Sequence, residues 1–142
     1  MPDDSGLQRF LDAQQTDYAV ALSEIKRGRK VSHWLWYIFP QIRGLGTSET
    51  SRYYAIKDIR EAAAFLKHPV LGIRLIKICQ ALLDQQANDA NRIFGSPDDL
   101  KLRSSMTLFA LVPDTHPVFQ MILDRFFQGT KDSRTTEILK MQ

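Results

Sequence analysis

The chain has 142 residues, of which 44% are hydrophobic and 25% are charged, and its formal net charge is +3 at pH 7. This length suits one domain with a substantial core, and the composition excludes the disordered and fibrous classes. The single cysteine, Cys79, excludes an intrachain disulfide and fits a reducing compartment. Because residues 1–5 are not apolar and no stretch approaches the ~20 apolar residues of a membrane span, we expect a cytoplasmic protein without a signal peptide or a membrane segment.

Charge is distributed unevenly along the chain. Residues 1–25 carry a net charge of −4, whereas residues 26–60 carry a net charge of +6. A basic stretch of this kind can bind an anionic ligand, or it can be a solvated surface. Lys26 and Arg27 fit the last turn of a helix, where basic residues are favoured, and Arg43 and Arg52 remain open to both interpretations.

The first third of the chain predicts two helices followed by an aromatic segment. Ser5 and Gln8 have the spacing of a capping box, which predicts a short helix over 6–14. A second helix should begin at Thr16 and Asp17 and end at Gly28, a residue that favours the left-handed conformation of helix ends.

Residues 34–39 are rich in Trp, Tyr, Ile and Phe, which have high strand propensity. No partner strand is visible elsewhere in the sequence, and an unpaired strand leaves its backbone unsatisfied. We therefore predict a short helix that Pro40 ends, followed by a loop over 43–51 in which Gly44 and Gly46 permit unusual dihedral angles.

The rest of the chain predicts further helices joined by short connections. Asp58 and Glu61 have capping spacing, and Pro69 is expected as the first residue of a strongly apolar helix that includes Cys79. Ser96 followed by Pro97 predicts an N-cap and a first helical residue. The remaining predictions are a short helix closed by Gly95, one after His116-Pro117 with Val118, Met121, Ile122 and Phe126 on its apolar face, and one after Asp132.

These elements predict an all-α fold, with seven or eight short helices around one core in a single compact domain over 1–142. The mixed helix lengths argue against a regular four-helix bundle.

Four runs of residues also resemble a known family. They lie at 33–41, 44–48, 68–75 and 101–109, and the likeness extends from residue 10 to about 139. In these runs the chain is similar to a bacterial domain family of unknown function that often carries the automated name calpastatin. The resemblance implies a compact all-helical domain and no established activity.

The aromatic segment and the loop after it form the first candidate site. Aromatic rings can stack on a planar ligand, amide and hydroxyl groups can bind its edge, and an arginine can bind a phosphate or carboxylate. The alternative is that both tryptophans belong to the core and the glycines only turn the chain. The predicted ligand-binding residues are Trp34, Trp36, Gln41, Ser48, Arg52 and Tyr54.

The second candidate lies on the helix after Pro97, where Lys101 and Ser105 are four residues apart and share a face. A desolvated lysine can activate a serine hydroxyl, although small hydroxyls in an apolar helix often serve close packing instead. His33 is a further candidate as a general base. The cysteine and histidine spacing indicates no metal site, and no cofactor is predicted.

Two hypotheses follow from these features. The first is a domain that binds a small anionic ligand, as a hydrolase or transferase acting on a nucleotide-like or other anionic compound. The second is a noncatalytic helical module that binds a protein partner and exposes an apolar patch. Nucleic-acid binding is disfavoured, because the basic stretch has no helix-turn-helix order and the acidic N-terminal residues offset it. A pocket that joins the aromatic segment to the helix of Lys101 would favour the first hypothesis.

Overall fold

The computed structural model describes residues 5–142, which form nine α-helices and no β-strand. The predicted all-α class is therefore confirmed. The number of helices is nine rather than seven or eight, and one of the nine lies where a loop was expected. The helices are α1 (Gln8–Lys26), α2 (Leu35–Ile38), α3 (Glu49–Tyr54), α4 (Ile59–Lys67), α5 (Leu71–Leu83), α6 (Ala90–Phe94), α7 (Asp98–Ala110), α8 (Val118–Phe127) and α9 (Ser133–Met141).

Helices α5 and α7 lie at the centre of the fold. Helix α5 packs against α1, α4 and α8, and α7 packs against α2, α4, α6, α8 and α9. Because α7 has neighbours on most sides, all the residues from Ser104 to Phe109 are buried, polar and apolar alike. The predicted apolar face of α5 is also buried, and burial raises the pKa of the Cys79 thiol, which keeps it protonated and structural.

The N-terminal region is one helix rather than two. Helix α1 continues through Thr16 and Asp17, and its N-cap residue is Leu7, which makes no side-chain capping bond. Ser5 instead begins a short 3-10 turn, Ser5–Leu7. Helix α1 packs along α5, and this long contact favours one continuous helix over a break at two residues of only modestly low helix propensity.

Side chains at the helix starts largely follow the sequence prediction. Asp58 accepts a hydrogen bond from the Glu61 backbone N–H at 2.9 Å, and Asp132 accepts one from Thr135 at 3.1 Å. Helix α7, however, begins at Asp98, so Pro97 is its N-cap residue and no side chain caps it, contrary to the predicted role of Ser96.

Two further details differ from the prediction. Helix α5 begins at Leu71, two residues after Pro69. Met121, expected on the apolar face of α8, is 51% exposed, because the buried face of that helix consists of Val118, Phe119, Ile122, Leu123 and Phe126. No helix within residues 5–142 has both the length and the apolarity needed to cross a membrane.

Candidate anion-binding site

A depression opens between α2, the loop that follows it, α3 and the first turn of α7. Its cavity volume is about 130 Å3. Five of the residues predicted for the two candidate sites line it together: Trp36, Gln41, Arg52, Tyr54 and Lys101. The aromatic segment and the helix of Lys101 are therefore neighbours in the fold, although about 60 residues separate them in the sequence.

Two backbone hydrogen bonds join the walls of the depression at its base. The Arg43 N–H donates to the Ile56 carbonyl, and the Ile56 N–H donates to the Gln41 carbonyl, each at 2.8 Å. This isolated parallel bridge pairs Ile42 with Ile56, and both side chains are buried. The bridge fixes the loop after α2 against the residues that follow α3.

The loop 43–48 turns sharply at its glycines. Gly44 has a φ of 107°, and a β-carbon at Gly46 would lie 2.5 Å from the β-carbon of Ser51. Ser48 then caps α3 by accepting a hydrogen bond from the Ser51 N–H at 3.1 Å. Helix α3 therefore occupies the end of the segment that was predicted as a loop, and it brings Ser51 and Arg52 to the rim.

Arg9 anchors the other end of α3. Its Nε donates to the Tyr53 carbonyl and its Nη2 to the Ala55 carbonyl, both at 2.8 Å. The same Nη2 is 3.0 Å from a carboxylate oxygen of Glu61. Since a helix leaves its last carbonyls without internal partners, the Arg9 guanidinium satisfies two acceptors and holds this wall in place.

The lining of the depression is strongly basic. Arg43, Arg52 and Lys101 all line it, whereas no acidic side chain is among its lining residues in the described part of the chain. Arg134, on α9, lies at the rim with its Nη2 3.5 Å from the Gly44 carbonyl. A concave surface with charges of one sign concentrates ligands of the opposite sign.

The acid nearest to Lys101 has a closer partner. Lys30 Nζ is 2.8 Å from one oxygen of Asp98, whereas Lys101 Nζ is 3.9 Å from the other oxygen. Lys30 also donates to the Ser32 carbonyl, and its side chain is only 6% exposed. Lys101 is about one third exposed and lies 5.6 Å from the centre of the Trp36 ring. Of the two lysines, Lys101 is therefore held less tightly by Asp98 than Lys30 is.

Tyr54 and Trp36 are the two aromatic residues among the described residues that line the depression. The ring centre of Tyr54 is 5.0 Å from that of Tyr37 and 6.0 Å from that of Phe10. Burial, followed by the neighbouring Tyr53 and by Asp12 and Asp17, raises the pKa of the Tyr54 hydroxyl. The hydroxyl therefore stays protonated at neutral pH and adds no negative charge to the depression.

A family model described as a protein of unknown function, DUF1810, matches residues 4–139. The chain belongs to the DUF1810 family. It is also similar to the conserved hypothetical protein Rv1873 from Mycobacterium tuberculosis, whose crystal structure matches it over 100% of both chains with 42% identity and a TM-score of 0.94. No curated protein matches the chain. The predicted membership of a helical family of unknown function is thus confirmed.

Trp34 belongs to the core of the DUF1810 domain and does not line the depression. Its side chain is 1% exposed, and its indole N–H donates to the Glu24 carboxylate at 2.9 Å. Its ring packs against Phe39 and Phe94. The sequence left open whether the tryptophans bind a ligand or pack in the core. Trp34 is a core residue, whereas Trp36 lies at the depression.

The three catalytic candidates do not come together. Ser105 is fully buried and its hydroxyl has no hydrogen-bond partner among the described residues, so Lys101 does not contact it as a base. His33 is exposed and is not among the residues that line the depression, and neither is Ser48, which caps α3. Within residues 5–142, no group of three or more His, Cys, Asp and Glu side chains is arranged to hold a metal ion.

Sequence reasoning left Arg43 open and missed Ser51 and Arg134. Arg43 could have been included because it lies two residues after Gln41 and begins the predicted loop. Ser51 could have been found from the Ser48 cap, which orients the first turn of α3. No sequence signal places Arg134 at this rim, because 90 residues separate it from Gly44.

Proposed function

We propose that the DUF1810 domain binds a small anionic compound in the depression beside Trp36. The observation that supports this proposal is the set of three basic side chains, Arg43, Arg52 and Lys101, which come from two distant segments and line one concave surface without an acid. Positive charges on one concave surface repel each other, and an anion bound there relieves that repulsion.

The other lining residues suit an organic anion. Trp36 and Tyr54 supply aromatic surface, and Gln41 supplies an amide that can donate or accept a hydrogen bond. The bridge at Ile42 and the Arg9 contacts hold two walls of the depression before any ligand arrives. Such preorganisation lowers the entropic cost of binding.

Binding, rather than a particular reaction, is the function that this geometry supports. A hydrolase that used Ser105 would need a base hydrogen-bonded to its hydroxyl, and none of the described residues makes such a bond. The alternative of a noncatalytic protein-binding module does not require a recessed basic site. The lining of the depression by both Trp36 and Lys101 therefore favours the small-ligand hypothesis.

A thermal-shift experiment tests the proposal. The purified chain is heated with adenosine monophosphate, succinate, acetate or glucose, and we expect the anions but not the neutral sugar to raise Tm. At a ligand concentration 100 times Kd the stabilisation is about 2.7 kcal/mol, which corresponds to a rise in Tm of roughly 5–10 °C. The Arg52→Ala variant should lose most of this rise, because Arg52 lines the depression.

Arg27→Ala is the matched control, since it removes the same charge from an exposed residue that does not line the depression. It should keep the full ligand-induced shift. The proposal is wrong if no anion stabilises the protein, or if the Arg52 and Arg27 variants respond to the anions identically.

A further inference from the structure

The number and placement of the cations indicate which kind of anion the depression accepts. Resting on the proposed function, we infer that the preferred ligand is a phosphate monoester in its dianionic form, bound through its phosphate group. Three properties of the depression favour this ligand, namely its charge, the directions from which the cations approach it, and its size.

The positive charge of the depression favours a dianion. Three cations line the depression. Of the two lysines beside Asp98, Lys101 is the more easily drawn to a ligand, because Asp98 keeps Lys30 at 2.8 Å when Lys101 moves away. Lys101 can therefore leave Asp98 without exposing an unpaired carboxylate. A dianion matches this surplus of positive charge better than a monoanion, since each added negative charge interacts with all three cations.

The cations approach the depression from three different elements. Arg43 comes from the loop after α2, Arg52 from α3 and Lys101 from α7. A carboxylate has two oxygens in one plane, and a single guanidinium fork can occupy both. A phosphate monoester has three terminal oxygens pointing in different directions, so it can meet donors from three separate walls.

The size of the depression suits a compact anionic group. The volume of about 130 Å3 is smaller than the roughly 300–1,000 Å3 of pockets that enclose a whole drug-sized ligand, yet it exceeds the space that a few water molecules occupy. A compact head group fits inside, and the organic part of the ligand then lies at the open rim, where the Trp36 and Tyr54 walls reach solvent.

Isothermal titration calorimetry with three ligands that share one ring tests the inference. Phenyl phosphate is a dianion near neutral pH, whereas phenyl sulfate and benzoate are monoanions. At pH 7.5 we expect phenyl phosphate to bind at least tenfold more tightly than either of the others. Inorganic phosphate should also bind, but more weakly, because it lacks the ring that contacts the aromatic wall.

The pH dependence gives a second readout. The second pKa of a phosphate monoester is about 6, so its dianion is replaced by the monoanion as the pH falls from 7.5 to 5. The affinity for phenyl phosphate should fall about tenfold over this range. The charged and titratable groups of the lining are Arg43, Arg52, Lys101 and Tyr54, and next to them lie Asp98, 3.9 Å from Lys101, and Arg134 at the rim. Phenyl sulfate keeps one negative charge over this pH range, so a change in its affinity would come from the protein and not from the ligand.

Lys101→Gln should reduce the affinity for phenyl phosphate about tenfold and that for benzoate much less. Lys26→Gln, at an exposed residue outside the depression, should change neither. If benzoate or phenyl sulfate binds as tightly as phenyl phosphate and Arg52→Ala weakens them all, the preference for a dianion is refuted while the anion site stands. If none of the ligands binds, or if Arg52→Ala leaves every affinity unchanged, the proposed function fails together with this inference.

Discussion

The Glu24 carboxylate accepts four hydrogen bonds, from the backbone N–H groups of Val31 and Ser32, the Ser32 hydroxyl and the Trp34 indole. It therefore ties the end of α1 to the chain that leads into α2. Burial by itself raises the pKa of this carboxyl, but the hydrogen bonds from Ser32, Val31 and Trp34 outweigh it and lower the pKa to about 2. The charged form of Glu24 is thus part of the folded structure.

This lowered pKa predicts a specific loss of stability in acid. Because the folded pKa lies below the ordinary value of 4.5, the contribution of Glu24 is complete above pH 4.5 and is lost as the pH falls toward 2. At pH 7, Glu24→Gln should lower the free energy of unfolding by about 2 kcal/mol, since one acceptor oxygen is replaced by a donor amide among four donors. Urea unfolding at pH 7 and pH 3 measures both effects.

Glu137→Gln is the control, because Glu137 is exposed on α9 and loses the same charge. Its stability should follow the wild-type curve at both pH values. The difference between wild type and Glu24→Gln should shrink at pH 3, and an equal difference at both pH values would show that the charge of Glu24 does not support the fold.

At the scale of the element, α3 depends on contacts made from outside itself. It has six residues, and none of them is buried. A helix this short is unstable alone, so its Ser48 cap, the Ile42–Ile56 bridge and the Arg9 guanidinium must hold it. Since α3 carries Arg52 and Tyr54, the order of this helix decides whether the basic depression is preformed.

We therefore predict that Arg9→Lys loosens α3 and weakens ligand binding, although it keeps the charge. Lysine cannot reproduce the guanidinium fork that reaches the Tyr53 and Ala55 carbonyls together. Amide hydrogen exchange in α3 should become at least tenfold faster, and the affinity for phenyl phosphate should fall severalfold. Arg60→Lys, at an exposed residue on α4, should change neither quantity. Unchanged exchange in α3 would show that Arg9 does not position this wall.

The same helix shows what the sequence could and could not predict. Long amphipathic elements such as α5 were found from their apolar spacing, and Asp58 and Asp132 marked helix starts correctly. Helix α3 was missed because a six-residue polar helix has no apolar period, and the glycines before it indicate a loop. The site was found in part, since Trp36 and Arg52 lie in one unusual stretch, whereas only the tertiary fold brings Arg134 to it.

At the scale of the molecule, a series of aromatic rings connects the depression with the far side of the core. Tyr54 packs on Phe10 with ring centres 6.0 Å apart, and Phe10 packs on Phe65 at 5.1 Å. Phe65 packs on Phe109 at 5.5 Å, and Phe109 packs on Phe119 of α8 at 5.6 Å. Phe10 and Phe119, the first and last phenylalanines of this series, are both fully buried, and Phe10 packs directly on Tyr54, which lines the depression.

This arrangement allows stability and binding to be separated with one type of substitution at two places. Phe10→Leu and Phe119→Leu should each lower the free energy of unfolding by about 1–2 kcal/mol, because each removes part of a fully buried ring. Only Phe10→Leu should also weaken phenyl phosphate binding, since Phe10 supports Tyr54 and lies 4.3 Å beneath the Arg9 guanidinium. Urea unfolding and calorimetry on the two variants measure these effects. Equal losses of affinity in both variants would mean that the depression responds to overall stability and not to its own aromatic support.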